Sequence, residues 1–68
     1  MISEEKKLVT KQIESQASAI EQDGIKLRQY AENITTEERI ETLKEAIEGL
    51  TKEITGRLSE IAELAKKL

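Results

Sequence analysis

The fold of this chain is decided by residues 40–68, which read IETLKEAIEGLTKEITGRLSEIAELAKKL. Large aliphatic residues recur there in alternating steps of three and four, and Arg57 holds one position of the series. The aliphatic members are Ile40, Leu43, Ile47, Leu50, Ile54, Ile61, Leu64 and Leu68. A heptad pattern of this kind, with Glu and Lys mostly outside it, predicts a helix that packs against another helix. We expect the helix to run from about residue 37 to about residue 67.

The start of this helix carries a recognisable capping signal. Thr35 and Thr36 are both good N-cap residues, and Thr35 with Glu38 fits the capping-box spacing. At the other end, Lys66 and Lys67 suit the negative end of the helix dipole. These signals agree with the bounds that the heptad pattern gives.

The first half of the chain repeats the pattern less strongly. Isoleucine or leucine recurs every seven residues, at Ile13, Ile20, Leu27 and Ile34. Small residues recur between them, at Ala17, Gly24 and Ala31, so that the stripe alternates large and small side chains in the manner of interdigitating core layers. This predicts a helix over about residues 4–33. Asp23-Gly24 is a turn signal, but the heptad phase continues through it, which favours a continuous or slightly kinked helix.

The two predicted helices have matched lengths of ~45 Å on either side of a short break at about residues 34–36. Residues 1–68 are therefore predicted to form one all-α domain, an antiparallel helical hairpin. A chain of ~60 residues is marginally stable alone. Since a hairpin has too little interior to bury both stripes, we expect two copies to pair into a homodimeric four-helix bundle. A single helix of ~100 Å in a long coiled coil is the alternative.

The composition excludes several classes of function. The 68 residues include 14 Asp and Glu and 11 Lys and Arg, for a net charge of −3, with no Cys and no His. No disulfide, Cys/His zinc site or histidine base can exist, and no phosphate-binding loop or nucleophile motif is present. We therefore expect no enzyme activity, cofactor, metal or small-molecule substrate. No apolar run approaches the ~20 residues of a membrane span, so we expect a cytoplasmic protein without membrane contact.

Three residues break the simple pattern of the second helix. Gly49 and Gly56 lie seven residues apart and nearly opposite the aliphatic stripe. They are either tolerated surface glycines or a second contact row, where another helix packs closely. Arg57 stands at a core-type position, and it either extends its head to solvent or forms a buried ion pair that sets the helix register.

Lysines gather near both ends of the chain. Lys6, Lys7 and Lys11 begin the first helix, and Lys66 and Lys67 end the second, so that an antiparallel hairpin brings all five to one end. Such a patch indicates either solubility and dipole compensation or a site for nucleic acid phosphates. No aromatic residue lies among the lysines to stack on bases.

In its length, its two heptad helices, its short turn and its alternating core layers, the chain resembles the Rop-type helical hairpins. That resemblance implies a homodimeric bundle, and in that family the bundle binds RNA. The aromatic residue on the RNA-contacting face of the family has no counterpart in the first half of the first helix. No RNA-binding residue is therefore transferred to this chain.

The sequence as a whole predicts a protein-interaction function, as a small self-assembling adaptor, structural or regulatory protein. We expect the aliphatic stripes of both helices to carry the assembly. The alternatives are a small RNA- or DNA-binding regulator that uses the lysine-rich end, and a hairpin that pairs with a different helical protein, as chaperones, immunity proteins and some secreted partners do.

Overall fold

The computed structural model describes all 68 residues and contains two α-helices and no strand. Helix α1 spans Glu4–Glu32 and helix α2 spans Glu37–Ala65, each with 29 residues, and they pack against each other as a helical hairpin. The predicted all-α hairpin is confirmed. Both helices begin where the sequence predicts, and they end one and two residues earlier than expected.

The N-terminal ends of the two helices are capped in different ways. The Ser3 hydroxyl accepts a hydrogen bond from the Lys6 backbone N–H at 3.2 Å, as a capping serine should. At α2 the N-cap is Thr36, in an extended conformation, and its side chain makes no capping hydrogen bond. The predicted capping box between Thr35 and Glu38 is therefore wrong, because the helix begins one residue after that box requires.

Helix α1 is continuous through Asp23 and Gly24, as the heptad phase predicted. No residue of the chain, including Gly24, has a positive φ. No turn forms at Asp23-Gly24, and Asp23 faces α2, where its carboxylate accepts a hydrogen bond from Arg57.

The residues that the hairpin buries all lie on one side of each aliphatic stripe. The four buried residues of the chain are Val9, Asp23, Leu50 and Leu64. On each helix they occupy one heptad position. We call these two rows of residues, one on each helix, the inner columns. The inner column of α1 contains Val9, Gln16, Asp23 and Tyr30, and that of α2 contains Leu43, Leu50, Arg57 and Leu64.

A second heptad position on each helix carries the remaining large aliphatic residues. These isoleucine columns are Ile13, Ile20, Leu27 and Ile34 in α1 and its C-terminal extension, and Ile40, Ile47, Ile54 and Ile61 in α2. Six of the eight side chains are half-buried, and Ile34 and Ile40 are exposed at 38% and 37%. The hairpin therefore buries half of the residues in its inner columns and none of those in its isoleucine columns.

Ala17, Gly24 and Ala31 do not pack between the two helices of the hairpin, and their predicted place in the core of a paired bundle stays a prediction. All three are exposed, and a Cβ built on Gly24 would meet no atom within 4 Å. Both Gln16 and Ala17 flank the isoleucine column of α1, and α1 is rotated so that Gln16 and its column face α2. The reason is the polar partner that α2 offers there, which is Arg57.

The molecule is a thin layer of two helices. Its extents are 55 × 16 × 9 Å and its radius of gyration is 16.1 Å. A compact domain of this length has a radius of gyration of ~11 Å. Both broad faces of the layer are consequently open, and no residue lies in an interior enclosed from every side.

Candidate functional site

A polar layer crosses the centre of the interface between the two helices. The Arg57 Nε donates to Asp23 Oδ2 at 3.0 Å, and its Nη1 donates to Gln16 Oε1 at 3.2 Å. Its Nη2 lies 3.7 Å from Glu53 Oε1, one turn earlier on α2. Gln16 and Asp23 stand one heptad apart, so that a single guanidinium spans a whole heptad of α1.

The two charged members of this layer differ in burial. The Asp23 side chain is 6% exposed, whereas the Arg57 side chain is 31% exposed. No buried side-chain nitrogen or oxygen in the chain lacks a hydrogen-bond partner. Arg57 therefore forms an ion pair with a buried carboxylate while part of its guanidinium still reaches solvent.

Sequence reasoning predicted an ion pair as one option for Arg57 but did not identify its partners. The signal was available in the spacing of α1. Gln16, Asp23 and Tyr30 recur every seven residues at the edge of the aliphatic stripe, and such a polar column fits opposite the one charged core position of α2. Whether this polar column faces α2 depends on the rotation of α1 about its axis, and an aliphatic stripe of this width is compatible with more than one rotation.

The open isoleucine columns form the centre of one broad face of the layer, which we call the isoleucine face. Because the helices are antiparallel, the heptad positions that flank these columns on the outside lie on the same side of the molecule. In α1 they carry Ala17, Gly24 and Ala31. In α2 they carry Thr51, Leu58 and Ala65, of which Leu58 is 53% exposed. The predicted assembly residues of the isoleucine columns and of the small-residue row thus share one surface, whereas Leu43, Leu50 and Leu64 lie in the inner column between the helices.

The other broad face, which we call the opposite face, has a different character. The positions that flank the inner columns include Gln12 and Lys26 in α1 and Glu53 and Glu60 in α2. Gly49 and Gly56 lie farther out on α2 on this side. A Cβ built on either glycine would meet no atom within 4 Å, so no part of the hairpin packs against them. Their use as a second contact row stays a prediction.

The two lysine-bearing ends of the chain lie next to each other, and two of their lysines have acidic neighbours. Lys6 and Lys67 line the same shallow depression, which places the two ends of the chain side by side. Lys7 and Lys66 lie 3.6 and 3.1 Å from the carboxylates of glutamates three residues away on their own helices. The local positive charge is therefore smaller than the number of lysines indicates.

The remaining surface offers little else for chemistry. The other depressions are open and lined by four or five residues each. No group of three or more Asp and Glu side chains is placed to hold a metal ion. Neither helix has a stretch long and apolar enough to cross a membrane.

Comparison of the chain with protein families, with curated proteins and with solved structures gave no match in any of the three.

Proposed function

We propose that this chain is a protein-interaction module whose partner is a second copy of itself, and that two hairpins form a four-helix bundle. The observation that carries the proposal is the surface area. The hairpin exposes 5392 Å², whereas a compact monomer of 7.7 kDa exposes ~4,300 Å². The excess of about 1,000 Å² exceeds the ~800 Å² that each partner buries in a standard stable interface.

The small buried core supports the same conclusion. Val9, Leu50 and Leu64 are the only buried apolar residues. A chain this short usually needs a disulfide, a structural metal or oligomerisation in addition to its core. With no Cys and no His in the sequence, association with another chain is the means of stabilisation that these residues support best.

Sedimentation equilibrium combined with thermal melts at several protein concentrations tests this proposal. We expect a dimer at micromolar concentrations, with a melting temperature that rises as the concentration rises. A tenfold increase in concentration corresponds to ~1.4 kcal/mol of association free energy, which shifts the midpoint by several degrees. A monomer that melts cooperatively at a temperature independent of concentration would contradict the proposal.

The alternative functions give different results in related experiments. The joint position of Lys6 and Lys67 at one end is the observation that favours nucleic acid binding. Binding to a labelled RNA or DNA hairpin through phosphates must weaken steeply as salt is added. A hairpin that pairs only with a different protein would, when alone, melt without cooperativity at every concentration.

A further inference from the structure

The two broad faces of the layer differ in the charge that association would bury. On the isoleucine face, ten positions flank the isoleucine columns on the side away from the inner columns. Two of them are charged, Glu37 and Lys44, and both lie near the connection between the helices. On the opposite face, ten positions flank the inner columns on the side away from the isoleucine columns, and six of them are charged. Removing a charge from water without a partner is costly, so the isoleucine face is much the easier one to cover.

The two faces also differ in what the hairpin has already buried. All four buried residues lie in the inner columns, where Arg57 engages Asp23 and Gln16. The eight side chains of the isoleucine columns are half-buried or exposed, with Leu58 exposed beside them. Leu8 and Ile25 are also exposed, at 62% and 44%, but each is a single side chain outside both columns, so the largest continuous apolar surface lies on the isoleucine face.

We infer that the second copy docks on the isoleucine face and that the opposite face, with Gly49 and Gly56, remains in solvent. This inference rests on the proposed self-association and adds which surface carries it. The side chains at Ala17, Gly24 and Ala31 do not extend beyond Cβ, so that the neighbouring hairpin can approach α1 to a normal helix-packing distance of ~8–10 Å. In this arrangement the two sets of isoleucine columns pack together as the centre of the bundle.

Two matched glycine variants test the choice of face. Gly24 and Gly49 are both exposed, both lie inside a helix, and a Cβ at either meets no atom within 4 Å. Gly24→Glu and Gly49→Glu therefore make the same change in helix propensity and in charge within the isolated hairpin. If the isoleucine face is the interface, Gly24→Glu buries two unpaired carboxylates per dimer. The dimer dissociation constant should then rise by about a hundredfold or more.

Gly49→Glu is expected to leave the dissociation constant unchanged, because its carboxylate stays in solvent in both the monomer and the dimer. A second measurement avoids any effect of the added charge on folding. In the dimer, the thiol of a Gly24→Cys variant should react with a maleimide more slowly as protein concentration increases, while that of a Gly49→Cys variant should react at a constant rate.

The outcomes separate this inference from the proposed function. A wild-type dimer that is weakened by Gly49→Glu, or by both variants equally, overturns the choice of face and leaves self-association standing. Protection of the Gly49→Cys thiol instead of the Gly24→Cys thiol has the same meaning. A wild-type chain that stays monomeric overturns both proposals together.

Discussion

Replacing Arg57 with methionine is expected to destabilise the protein more than replacing Asp23 with leucine, although each change removes the same ion pair. The difference follows from burial. Arg57→Met leaves the Asp23 carboxylate, whose side chain is 6% exposed, without a cation. Asp23→Leu leaves a guanidinium that is 31% exposed and keeps Gln16 and Glu53 as neighbours.

The size of each effect follows from the same geometry. Leaving one charge of a buried pair without its partner costs ~3–5 kcal/mol, and we expect Arg57→Met to lie near the lower end because water lies close to the layer. Asp23→Leu should cost ~1 kcal/mol or less, since the guanidinium can turn to solvent and the leucine adds buried apolar area. A protein of this length has a total stability of ~3–10 kcal/mol, so Arg57→Met removes a large share of it.

The double variant completes the cycle. Exchanging a buried ion pair for apolar side chains of similar volume is often neutral or stabilising, so Asp23→Leu with Arg57→Met should unfold near the wild-type midpoint. Urea unfolding followed by circular dichroism at one fixed protein concentration measures all four free energies. If the two single variants cost the same, and the double variant equals their sum within ~0.5 kcal/mol, the layer has no coupling and the reasoning is refuted.

Three further sets of variants probe separate features of the hairpin, each by thermal or urea unfolding. Gly56→Ala should raise the melting temperature by ~4–8 °C, because it removes a helix penalty of ~1 kcal/mol at a position with open space around it; a lower midpoint would mean that a partner packs there. Leu64 is 4% exposed, so Leu64→Ala should lower the free energy of unfolding by ~2–4 kcal/mol. Leu8 is 62% exposed, so Leu8→Ala should lower it by ~0.5 kcal/mol or less. Equal losses would contradict the burial described. Ser3→Ala should cost ~1 kcal/mol by removing the cap on the Lys6 N–H, and Ser3→Asp should retain most of it; equal loss in both would exclude a capping role.

The helix bounds were predictable because they depend on local signals. The heptad steps extend through residues 40–68 without interruption in phase, and Ser3 precedes a run of acidic residues that suits a helix start. The connection at residues 33–36 followed from the end of one pattern and the beginning of the other. The ends differed by one or two residues because the last turn of a helix depends on weak, competing hydrogen bonds.

The rotation of α1 was not predictable from hydrophobicity alone. Ala17 and Gln16 lie on either side of the same isoleucine column, and an apolarity argument places Ala17 inward. The structure places Gln16 inward, because Arg57 on α2 binds Gln16 and Asp23 together. A long-range polar contact between residues 34 positions apart thus decides a local choice that the apolar pattern leaves open.

The polar layer also has a consequence for chain topology. It specifies which helix surfaces meet and at which register, but its hydrogen bonds are the same whether Asp23 and Arg57 belong to one chain or to two. Only the connection at residues 33–36 ties α1 to the α2 of its own chain. If those residues became helical, two chains would exchange helices and rebuild identical layers as an intertwined isomer. The choice between closed and exchanged forms therefore rests on the conformation of four residues that are all exposed in the hairpin, so substitutions in this short connection can change the topology without altering the contacts between α1 and α2.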